Sequence, residues 1–84
     1  LFERLLFRLV DAYVTSGNRN EAYQLLNKYL ISDPLNEETV FQLMRLHVED
    51  GRKDIATTLY RTYEAKLEEQ LDAVPSANLR ALLR

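Results

Sequence analysis

The sequence predicts an all-α fold, a right-handed stack of two helix-turn-helix repeats followed by a short C-terminal capping helix. Two observations carry that prediction. The first is an internal period: Gly17 and Gly51, Ala22 and Ala56, and Tyr29 and Tyr63 each stand 34 positions apart. Phe7 with Phe41, Leu9 with Leu43, Val14 with Val48 and Leu25 with Leu59 keep that register, while Leu6 with Val40 and Arg19 with Lys53 keep chemical type. The second is that apolar residues recur at three- and four-residue spacings, the period of helices buried along one stripe. A unit of this length holds two amphipathic helices and cannot bury its apolar face alone, so neighbouring units must stack into a shared core.

The repeats are expected at 3–36 and 37–71 and the capping helix at 76–84, all within one domain over 1–84. The first helix, about 2–16, carries Phe2, Leu5, Leu6, Leu9, Val10 and Tyr13 as its inner stripe and ends at Ser16-Gly17, where glycine tolerates a left-handed turn. Asn18 followed by Glu21 has capping-box spacing and opens a second helix, about 18–31, with Ala22, Leu25, Leu26, Tyr29 and Leu30 inward. It stops before Pro34. Asn36 caps the third helix, about 36–50, whose first turn holds Glu37 and Glu38 against the positive end of the dipole and whose inner face holds Val40, Leu43, Met44 and His47. Gly51 repeats the break. The fourth helix, about 52–71, buries Ile55, Ala56, Leu59, Tyr60, Tyr63 and Leu67, and Asp72–Pro75 interrupts it before Ser76 caps the last helix, which covers the open end of the stack through Leu79, Leu82 and Leu83.

Composition fits one small globular unit: 84 residues, 46% hydrophobic and 29% charged, enough for a single modest core. The chain has no cysteine, which excludes disulfides and thiolate metal sites and suits a reducing, cytoplasmic setting. A formal net charge of −2 provides no uniform positive field, so DNA contact is expected only through another domain. Apolar runs such as Leu5-Leu6-Phe7 fall far short of the ~20 residues that span a bilayer. Because the chain opens at Leu1, already within a helical pattern, it reads as a fragment of something longer.

Leu6, Leu9, Val10, Tyr13, Ala22, Leu26 and Pro34 match part of the tetratricopeptide pattern, and Val40, Leu43, Met44, His47, Ala56 and Tyr60 match it more weakly. Val10 and Met44 stand where that pattern has a small glycine. The run from Ser32 to Arg84, with Asp33-Pro34-Leu35-Asn36-Glu37-Glu38, Leu43-Met44-Arg45-Leu46, Tyr60-Arg61 and Leu71 through Pro75-Ser76 to Leu79-Arg80-Ala81-Leu82, resembles the bacterial transcriptional activator domain. The resemblance implies a tetratricopeptide-like module placed after a winged-helix DNA-binding domain in antibiotic-pathway and related response regulators. It also implies a part in transcription activation through protein contacts: with the DNA-binding domain, with a second protomer in a homodimer, or with RNA polymerase. Members of that family commonly show Gly where Asp72 stands, which leaves the geometry of the last turn open.

If the first helix of each unit lines the concave side, as in tetratricopeptide proteins, Arg4, Phe7, Asp11 and Val14 share a groove with Glu38, Phe41, Arg45 and Val48. Phe7 and Phe41 lie at the margin of the core stripe. They either widen the core or pack on the C-terminal helix, or they form an exposed patch of protein-contact character. A general peptide adaptor is the alternative reading, disfavoured because Asp11, Glu38 and Glu49 sit among Arg4 and Arg45 where a carboxylate clamp needs clustered basic residues. No cofactor is expected. His47 stands where the first repeat has Tyr13, Ser16, Ser32 and Ser76 occupy turn or cap positions, and the pairs Glu37-Glu38 and Glu68-Glu69 splay apart on their helices. Nothing in this set converges as a catalytic or metal site requires. Among the tyrosines, Tyr23 is the one expected to be exposed.

Overall fold

The computed structural model describes residues 2–84, with side chains from Arg4 onward, so the place of Phe2 in the inner stripe lies outside the described side chains. Five helices follow one another: α1 (Phe2–Thr15), α2 (Arg19–Ser32), α3 (Glu37–Glu49), α4 (Lys53–Leu71) and α5 (Ala77–Ala81), with no strand among the described residues. α1 pairs with α2 and α3 with α4, while α2 against α3 joins the hairpins and α5 leans on α3.

The two tight turns are copies of each other. Asn18 N–H donates to Tyr13 C=O at 2.7 Å and Arg52 N–H to His47 C=O at 2.7 Å, and the glycines between them take φ of 85° and 77°. These six-residue bonds close the helix ends with glycine in the left-handed region. Caps differ more than the sequence suggests. Asn36 accepts from Thr39 N–H at 2.9 Å as expected, but the Asn18 side chain makes no capping bond and donates to Ser16 Oγ at 3.2 Å instead. Ser76 holds the N-cap position of α5 without a side-chain bond, its Oγ buried and unpartnered. Asp72 takes the glycine-like position after α4, at φ 50° and ψ 43°.

Two core clusters result. Val10, Ala22, Leu26, Leu43 and Leu46 bind the first hairpin to α3; Val40, Met44, Ala56, Tyr60, Tyr63, Leu67 and Leu79 fill the second. Three stripe residues depart from expectation: Leu5, Leu9 and Ile55 are exposed. Leu46 and Thr39, outside the expected stripe, are fully buried because α3 is the one helix packed on three others. The capping helix is also shorter than expected, ending at Ala81 with Leu82 and Leu83 in a turn, and it plugs Leu79 into the second cluster while resting on α3.

Candidate functional site

Of the expected groove residues, Asp11 on α1 and Arg45 on α3 are brought together across the two helices. Phe7 and Val14 are half-buried against the first cluster and Phe41 and Val48 against the second, so each ring belongs partly to the core and partly to the surface. Between them, one Arg45 nitrogen lies 3.9 Å from Asp11 across the helix pair and 2.6 Å from Gln42 Oε1, and a second lies 3.7 Å from Glu49. Arg45 Nε is buried with no acceptor. Asp11 and Glu38 are exposed, as is Arg4, which no described contact brings to the others.

Where α5 meets the start of α3, a cavity of about 340 Å³ is lined by Glu37, Glu38, Phe41, Ser76, Asn78 and Leu79. Glu37 anchors that junction by accepting from Tyr63 Oη and Ser76 N–H, both at 3.3 Å. Burial, with Glu37 alongside, pushes the Tyr63 hydroxyl up to about 12, so it stays a donor at neutral pH.

A polar cluster at the other end of α3 carries the junction between hairpins. Arg19 on α2 sits 2.9 Å from Asp50 and 3.3 Å from Glu49 and donates to Leu46 C=O at 3.2 Å. Tyr23, expected to be exposed, instead donates to Asp50 at 2.5 Å, with its ring 4.6 Å from that of His47 and 5.2 Å from the Arg52 guanidinium. Arg52 Nε donates to His47 Nδ1 at 3.2 Å, so the imidazole accepts through that nitrogen. Burial and the Arg52 charge hold His47 below its ordinary pKa, which leaves it a structural acceptor. The repeat register hinted at Arg19, since Lys53 is its equivalent. It could not indicate the acidic partners, because Thr15 and Ser16 stand where Glu49 and Asp50 do.

No group of three or more His, Asp or Glu able to hold a metal ion occurs among the described residues, and none of their helices is long and apolar enough to cross a membrane. Two helical hairpins, α1 with α2 and α3 with α4, joined through α2 and α3, make the class a helical-repeat module. The chain belongs to the bacterial transcriptional activator domain family, whose model matches residues 1–84. That family is regulatory rather than enzymatic and acts in bacterial transcription activation. No curated protein and no solved structure matched the chain.

Proposed function

We propose that the module is the protein-contact part of a bacterial transcription regulator, binding its own DNA-binding domain, a second protomer or RNA polymerase through the α1–α3 face. The observation that supports this reading is the repeated pair of half-buried apolar residues, Phe7 with Val14 and Phe41 with Val48, on either side of the Asp11–Arg45 contact. An apolar patch with a charged surround is the usual make-up of a protein contact site. DNA is reached through a separate domain, in keeping with a net charge of −2 and with arginines interleaved among acids.

Asp11→Lys with Glu38→Lys in the whole regulator tests the reading, because both residues are exposed and their replacement spares the core. Activated transcription from a reporter promoter should fall by about tenfold or more, equivalent to ~1.4 kcal/mol of lost contact, with promoter occupancy and helical circular dichroism unchanged. Full activation by that variant would remove the α1–α3 face from the mechanism.

A further inference from the structure

The cavity where α5 meets the start of α3 gathers two carboxylates, an aromatic ring, a hydroxyl and an amide, and no basic residue lines it. Its volume of about 340 Å³ lies within the ~300–1,000 Å³ usual for a small-ligand site. Asp11, Glu49 and Asp50 all have arginine partners, whereas neither Glu37 nor Glu38 is paired with a cation among the described residues. Glu37 accepts from both Tyr63 Oη and Ser76 N–H through Oε1, which holds its carboxylate in place and leaves Oε2 outside both bonds. A second observation points to an occupant. Ser76 Oγ, in the same wall, is buried with no partner and does not cap α5. A buried hydroxyl left unsatisfied beside a cavity calls for a polar group from whatever fills that cavity.

We propose that this cavity receives a guanidinium group carried on an alkyl stem. An anion entering it meets two carboxylates. A metal ion needs ligands that converge, whereas the adjacent Glu37 and Glu38 stand ~100° apart around α3, and no group of three or more His, Asp or Glu able to hold a metal occurs among the described residues. A neutral apolar group leaves both carboxylates and the Ser76 hydroxyl unpaired. A guanidinium answers every part of the lining: its N–H donors fan out in one plane to acceptors on several sides, its weakly hydrated face stacks on the Phe41 ring, and its charge meets the two unpaired acids. An ammonium brings the charge without the plane or the fork. The carrier is either an arginine side chain of a protein partner or a free alkylguanidinium compound, and the cavity chemistry is the same for both. Glu37 and Ser76 take no part in the α1–α3 contact proposed above, so the two proposals fail separately.

Titration of the 84-residue chain with butylguanidinium, followed by amide NMR, should shift the signals of Glu37, Glu38, Ser76 and Asn78. Butylammonium should bind about threefold more weakly or worse, and the neutral butylurea should leave those amides unmoved. Glu37→Gln keeps an oxygen acceptor for Tyr63 and Ser76 and should weaken butylguanidinium by roughly tenfold. Ser76→Ala should weaken it by roughly threefold with no fall in thermal midpoint, because that hydroxyl bonds to nothing in the free chain. Glu21→Gln with Asp54→Asn, which removes negative charge from the starts of α2 and α4 at the other end of α3, should leave the affinity unchanged. The strength of binding separates the two carriers. A micromolar dissociation constant assigns the site to a free compound, and a millimolar one to an arginine held there by a surrounding protein contact, which supplies an effective concentration of that order. Equal binding of butylguanidinium and butylurea overturns the proposal, as does a titration that moves none of the four amides. So does an affinity that falls as much in the Glu21–Asp54 variant as in Glu37→Gln, since bulk charge alone then explains the binding.

Discussion

Ala22 and Ala56 lie fully buried at equivalent points of the two clusters, where any larger side chain must displace packed neighbours. Ala22→Leu or Ala56→Leu is expected to cost about 1–3 kcal/mol of unfolding free energy in urea titrations, and a wild-type midpoint in either would contradict the packing described. Titration behaviour at the hairpin junction follows from two side chains. The folded His47 binds its proton less readily than the unfolded chain, whose imidazole titrates near 6.5, so folding stability is full above that value and declines as pH falls through it. Asp50, held low first by the Tyr23 hydroxyl and then by Arg19, keeps its contribution until pH drops below its ordinary value of 3.8. Urea midpoints at about pH 7.5 and about pH 5.5 should therefore differ in the wild type, and His47→Gln, which retains an acceptor for Arg52, should narrow that difference.

At the scale of elements, the turns were the most legible part of the chain, because backbone conformation there is dictated by one residue. An added Cβ at Gly17 or Gly51 would meet no atom within 4 Å, so only the positive φ opposes it. Gly17→Ala and Gly51→Ala should each lose about 1 kcal/mol by thermal or chemical denaturation. The reverse change applies after α4, where Asp72 occupies the left-handed position and its own N–H bonds to Glu68 C=O at 3.2 Å. Asp72→Gly is expected to gain on the order of 0.5–1 kcal/mol, and a loss of stability would mean that the carboxylate does more than sit in the turn. Stripe membership was less legible. Periodicity places Leu5, Leu9 and Leu43 identically, but only the presence of a neighbouring helix decides burial, and that depends on position in the stack. Capping side chains failed for a related reason: Asn18 and Ser76 have the right identity, yet Ser16 diverts the first, while a backbone bond to Glu37 fixes the entry to the second.

In the whole molecule, α3 is the keel, contacting α2, α4 and α5, whereas α1 contacts chiefly α2 and leaves one side uncovered. Stability in a repeat stack is the sum of each unit and its interfaces, so the two hairpins should not open equally. Amide exchange should be slowest in α3 and the part of α4 that covers it, and faster throughout α1 and α2. The link between the hairpins consists of the α2–α3 apolar contact and the Arg19 cluster, in which one guanidinium serves Glu49, Asp50 and a main-chain carbonyl at the end of α3. Exposed ion pairs are individually weak, but this arrangement at a helix C-terminus also brings a second donor to the Leu46 carbonyl, which accepts from Asp50 N–H at 3.0 Å as well. Arg19→Ala should accordingly accelerate exchange in α1 and α2 by several-fold, about 1 kcal/mol in opening free energy, while protection in the α3–α4 hairpin changes little. Uniform acceleration across all helices would instead show that the two hairpins open as one cooperative unit, with the Arg19 cluster stabilising the module as a whole and not the seam between its repeats.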